Sequence, residues 1–116
     1  MSTDGLIEWI EEALAPIGEV NVRPMMGGKL LYLDGIVFAL LASDDLWFKA
    51  DAESDAAWDE AGCERFGYRF KDGRTGTMNY RRAPSSVHDD PEEMRHWATL
   101  ALSAGRRAPR KRRHKP

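Results

Sequence analysis

Ser85, Ser86, His88 and Asp89 bring the hydroxyl, imidazole and carboxylate of a hydrolytic triad into one short stretch. A working triad takes its members from separate points of a scaffold that fixes their angles. Four such residues in one loop, between Pro84 and Pro91, are instead the residue types of turns and helix caps. Gly27-Gly28-Lys29 has the flavour of a phosphate loop. That loop requires Gly-x-x-x-x-Gly-Lys followed by Ser or Thr and must open a helix. Here Leu30 follows and strand-like residues lie on both sides, so a turn or bulge is expected. Cys63, His88, His96 and His114 show no Cys-x-x-Cys or His-x-x-x-His spacing. Asp34, Asp44 and Asp45 occupy turn positions, where a carboxylate bonds local backbone. Cys63 follows Gly62 at the end of an expected helix, and a helix C-terminus disfavours a thiolate. The sequence therefore assigns no catalytic residue, no metal site and no cofactor.

What remains is aromatic and cationic. Trp58 and Trp97 fall on helical apolar faces and are expected in the core. Trp47 alternates with Leu46 and Phe48 on a strand, so at least one of Trp47 and Phe48 faces away from the helices. An exposed aromatic there would be a contact surface, and Trp47, Phe48, Tyr32 and Tyr80 are its candidate residues. Arg81 and Arg82, with Arg69 and Lys71, are a second candidate, a small basic face weakened by Glu64 and Asp72. Residues 106–116 hold seven Lys and Arg and no acid, whereas residues 1–105 carry 19 Asp and Glu against 10 Lys and Arg. The formal net charge of −2 thus hides an acidic body and a cationic tail. Arg110, Lys111, Arg112, Arg113 and Lys115 are candidate contacts for weak, salt-sensitive, sequence-independent binding of nucleic acid. Folding back onto the acidic body and a purely solubilising role are the competing expectations for the tail.

At 116 residues the chain forms one domain with a modest core. A hydrophobic content of 42% and a charged content of 31% place it among soluble globular proteins rather than disordered or membrane chains. A single Cys cannot make an internal disulfide, no apolar run approaches the ~20 residues of a membrane span, and the acidic N-terminus is unlike a signal peptide. A cytoplasmic location without membrane contact is expected.

The elements that must position these residues follow from periodicity. Leu6, Ile7, Ile10, Ala13 and Leu14 repeat at helical spacing, with Thr3 or Asp4 as cap and Pro16-Ile17-Gly18 as stop. Strands are expected at Val20–Met26, Lys29–Leu33, Ile36–Ala42 and Leu46–Ala50. Asp34-Gly35 makes a primed hairpin turn, and Ser43-Asp44-Asp45 a second turn; Gly27, Gly28 and Gly35 shape the backbone. A short helix over Glu53–Ala61 ends at Gly62. Arg65–Phe70 and Thr75–Arg81 form a hairpin around Lys71-Asp72-Gly73-Arg74. A last helix starts at an Asp90 cap, with Pro91 at its first position and Glu93 completing a capping box. Runs of strands without βαβ alternation give an α+β fold, order αββββαββα: two layers, an antiparallel sheet with helices mainly on one face. The apolar Ile36–Leu41 should be the central strand, covered on both sides or at a subunit contact.

The ordered motifs Met25-Met26-Gly27-Gly28, Leu31-Tyr32-Leu33-Asp34-Gly35, Phe38-Ala39-Leu40, Leu46-Trp47-Phe48-Lys49, Phe66-Gly67-Tyr68, Met78-Asn79-Tyr80-Arg81-Arg82-Ala83-Pro84 and Asp90-Pro91-Glu92-Glu93-Met94-Arg95-His96-Trp97-Ala98 resemble the N-terminal domain of the TfoX/Sxy family. Met26 stands where that family usually has Phe. The resemblance covers residues 1–107, and a disordered basic tail, 108–116, stands where full-length competence regulators continue into a second domain. It implies a small two-layer α+β scaffold and a regulatory role in natural competence. The partner it implies is the transcription machinery or the cyclic-AMP receptor protein. The expected function is a non-enzymatic interaction module; a small-molecule or peptide-binding domain and a tail-mediated nucleic-acid binder are the alternatives. The oligomeric state stays open.

Overall fold

The computed structural model describes residues 3–25, 27–42, 44–69, 72–73 and 75–108. Met26, Ser43, Phe70, Lys71, Arg74 and the basic run from residue 109 onward lie outside the described residues. The elements are α1 (Thr3–Leu14), β1 (Val20–Met25), β2 (Gly28–Leu33), β3 (Ile36–Ala42), β4 (Asp45–Lys49), α2 (Asp55–Glu60), β5 (Arg65–Arg69), β6 (Thr75–Arg82), a 3₁₀ turn (Ser85–His88) and α3 (Pro91–Arg107). The fold is the expected α+β order with that 3₁₀ turn added. One antiparallel sheet has strand order β1-β2-β3-β4-β6-β5, so β3 is an interior strand.

Local chemistry sets the turns. Asp34 (φ 49°) and Gly35 (φ 85°) both take positive φ, as a type I′ connection between β2 and β3 demands. Asp34 also accepts a hydrogen bond from Glu19 N–H, tying the turn to the entry of β1. Gly28 is required by proximity: a Cβ there would lie 2.5 Å from the Leu41 carbonyl oxygen. Gly105 lets α3 settle on β3, because a Cβ would collide with the Val37 carbonyl.

A bulge organises the centre of the sheet. Leu31 pairs with Ala39 but Tyr32 pairs with Val37, leaving Phe38 as the extra residue. Phe38 and Ala39, although consecutive, therefore both enter the helix-side core. The inner row runs Val22, Leu31, Ala39, Phe48, Arg81 across five strands. Ile10 and Leu14 of α1, Trp58 of α2, and Met94, Ala98 and Ala101 of α3 cover it. Phe48 stacks on Trp58 at 5.7 Å, and Trp58 meets Trp97 at 4.8 Å, so aromatic contacts run from the sheet through α2 to α3.

Arg81 is the polar member of that row. It is 2% exposed and donates to Asp59 Oδ1 at 2.7 Å, the Cys63 carbonyl at 3.0 Å and Asp55 Oδ1 at 3.1 Å. Its guanidinium pins α2 to the sheet, with Nε left without an acceptor among the described residues. At the other end of the layer, Trp9 Nε1 donates to Val87 O and Arg95 donates to Ala13 O, joining α1 to the 3₁₀ turn and α3.

The cap of α3 departs in one detail from a capping box. Asp90 accepts from the Glu92 and Glu93 N–H groups, as expected. Asp90 N–H, however, donates to Ser86 O, so the Glu93 carboxylate does not reach back to it. Glu93 accepts instead from Ser86 Oγ at 2.8 Å and Trp97 Nε1 at 3.3 Å. Ser86 thus serves the helix start.

Candidate functional site

Because a directly opposed pair in an antiparallel ladder shares one side of the sheet, the outer face can be followed strand by strand. Arg23 pairs with Leu30, Leu30 with Leu40, Leu40 with Trp47, and Trp47 with Arg82. This row has Arg at both ends and apolar side chains between. Beside it, Lys49 pairs with Tyr80 and, past the bulge, Tyr32 pairs with Val37. Leu40, Trp47 and Tyr80 form a small second core here, with Met25, Leu30, Ala42 and Phe66 packed around it.

No described helix covers this face. Its rings are lidded by cations: Arg82 lies 4.7 Å from the Trp47 ring centroid, Lys49 5.1 Å from Tyr80, and Arg23 5.4 Å from Tyr32. Phe66 adds an edge contact to Trp47 at 4.9 Å. Each cation–π contact contributes about 0.5–2 kcal/mol, more as it is desolvated. Trp47 and Tyr80 are consequently only 6% exposed each. Burial pushes the Tyr80 phenol up to about 12, so its hydroxyl stays a donor at neutral pH. Burial also pulls the Lys49 ammonium below its ordinary value, against the attraction of Asp51.

Four candidate contact residues thus separate. Trp47, Tyr32 and Tyr80 share the outer face, with only Tyr32 half-buried rather than buried. Phe48 points the other way and is fully buried against Phe38 and Trp58, which corrects its place in the contact surface. Arg81 and Arg82 are likewise split by the pleat. Arg81 is buried under α2, whereas Arg82 donates to Asp45 at 2.8 Å and Glu64 at 3.2 Å. The pair cannot form one basic face. Lys49, Arg23 and Arg82 were missed as ring lids, although period-two alternation places Lys49 on Trp47's side and Arg82 on Tyr80's.

Other chemistry is sparse. Among the described residues no group of three or more His, Cys, Asp and Glu is placed to hold a metal ion. No described helix is long and apolar enough to cross a membrane. Cys63 is buried, and desolvation raises its thiol. The depression along α3, lined by Glu92, His96 and Thr99 among others, is open and shallow. The candidate nucleic-acid contacts Arg110, Lys111, Arg112, Arg113 and Lys115 lie outside the described residues. Arg107, the last residue of α3, clamps that helix to the loop after β4. It donates to both Asp51 oxygens, at 2.7 and 2.9 Å, and pairs with Glu53.

The chain is similar over 64 residues, at 36% identity, to the DNA transformation protein TfoX1 of Aliivibrio fischeri. The match takes in 55% of this chain and 30% of that relative, so the chain spans well under half of the relative's length. The family model of the TfoX N-terminal domain matches residues 12–105, a span that includes both faces of the sheet and most of α3. The chain belongs to the TfoX N-terminal domain family.

Proposed function

We propose that this chain is a non-enzymatic interaction module in the regulation of DNA competence, docking a protein of the transcription machinery through the outer face of its sheet. One observation carries the reading: a row across five strands, apolar and aromatic over its three middle members with Arg at both ends, closed by cations and not by a described helix. The family and the similarity to a DNA transformation protein supply the process. A cyclic-AMP receptor protein bound to its DNA site is the partner to try first. The tail residues Arg110, Lys111, Arg112, Arg113 and Lys115 add weak, nonspecific attraction to the DNA beside it.

The test is capture of purified receptor protein on duplex DNA by the immobilised chain. Arg23→Glu with Tyr32→Ala should lower capture at least tenfold while unfolding stays cooperative, with a midpoint only modestly lowered. Equal capture by the variant and the parent would sink the docking face. Fluorescence anisotropy on duplex DNA at two salt concentrations, with and without residues 108–116, tests the tail separately. Binding that survives the deletion counts against the tail.

A further inference from the structure

The chemistry of the partner's contact, which rests on the docking reading above, follows from donors gathered on β4 and β6. Trp47 is 6% exposed, and among the described residues its Nε1–H has no acceptor. Leaving such a donor unmatched is costly, and native structures rarely do so without a reason. Lys49 lies two residues along the same strand and hence on the same side. Among the described residues it has no carboxylate within salt-bridge range; its ammonium rests over Tyr80. Tyr80 brings a hydroxyl directly opposite Lys49. Arg82 stands opposite Trp47, but its charge is already taken by Asp45 and Glu64. Asp51, the acid that acts on Lys49 through space, is held by Arg107.

We propose that this face receives one carboxylate of a protein partner, an Asp or Glu side chain that pairs with Lys49 Nζ and, as Arg82 swings off the ring, accepts from the otherwise enclosed Trp47 Nε1, with apolar flanks resting on Leu30 and Phe66. The local charge favours a single carboxylate over a nucleic-acid backbone. One uncommitted ammonium, with Asp51 acting on it through space and the neighbouring Arg82 already paired to Asp45 and Glu64, suits a lone anion better than a polyphosphate.

The experiment is a titration of the full ¹⁵N-labelled chain followed at its indole N–H resonances. The probes are an acetylated, amidated Leu-Leu-Glu-Leu-Leu peptide, its Gln counterpart and a single-stranded oligonucleotide. The Glu peptide should move the Trp47 indole proton downfield, with at least tenfold weaker binding for the Gln peptide and for Lys49→Met. Trp47→Phe keeps an aromatic ring under Arg82 but removes the donor together with part of the buried ring; it should weaken the Glu peptide severalfold while the domain stays folded, with a modestly lowered thermal midpoint. Equal shifts with Glu and Gln, no shift with either peptide, or a response to the oligonucleotide alone would each overturn the carboxylate site. If capture of the receptor protein still depends on Arg23 and Tyr32 in those cases, the docking reading survives and only its chemistry is wrong. If capture is independent of the face, the docking reading itself has failed.

Discussion

The two faces of the sheet bury apolar surface by different means. On the inner face, helices from three places in the chain bring Ile10, Trp58 and Met94 onto Phe38 and Phe48, all fully enclosed. On the outer face, long cationic side chains from the sheet itself lie over Trp47, Tyr80 and Tyr32. The first arrangement is fixed by close packing, in which a lost methylene leaves a void. The second is held by contacts that water and salt weaken, made by stems that keep their charged ends hydrated. A face closed in that way can be opened by a partner without unfolding the domain; a face closed by helices cannot.

The largest difference should come from truncating equivalent aromatic bulk on the two sides. Phe48→Ala should cost about 3–5 kcal/mol, and Tyr32→Ala less than about 1 kcal/mol, read from denaturant midpoints. Comparable losses would mean the outer face is a true second core. Next in size is Arg81→Met. It removes the cation shared by Asp55 and Asp59 but leaves two acids that reach solvent, so a loss of about 2 kcal/mol is expected, below the 3–5 of a fully buried pair. Exchange of the α2 amides should rise with it. Arg82→Met, at the neighbouring position on the opposite face, should cost about 1 kcal/mol or less, and that loss should shrink further in high salt.

The smallest effect concerns pH. The Arg107 guanidinium, followed by backbone and hydroxyl donors of Ser54, holds Asp51 down to about 2, below its ordinary 3.8. A depressed carboxylate contributes stability that is complete above its unfolded value and disappears as the pH falls from about 4 through 2. Asp51→Asn should therefore flatten the acid side of the stability profile by less than about 1 kcal/mol, since the pair is partly exposed. An unchanged profile would show that Arg107 does not hold α3 to the β4 loop.

Much of this architecture is legible in the residues. Asp34-Gly35 fixes a turn because only a primed geometry suits the strands. Asp90-Pro91 fixes the start of α3. The alternation of Leu46, Trp47 and Phe48 says that neighbours part, yet not which one goes inside. That depends on the bulge at Phe38, which no local signal in β3 announces. The capping box fails because a competing acceptor, the Ser86 carbonyl, comes from a 3₁₀ turn whose sequence reads as loop. The candidate face was half legible. Its aromatic residues stood out, whereas the cations over them belong to other strands, and pairing across strands is set by the assembled sheet.

The bulge also bears on how this chain tolerates insertions and deletions. In a strictly alternating strand, loss of one residue turns every later side chain over to the wrong side. In β3 the surplus residue belongs to the consecutive pair Phe38 and Ala39, both facing the helices. Deleting Ala39 would restore simple alternation, with Val37 and Leu40 still outward and Phe38 and Leu41 still inward. Length variation among chains with this fold should therefore collect at that point of the strand, where a codon can be lost while each face keeps its own residues.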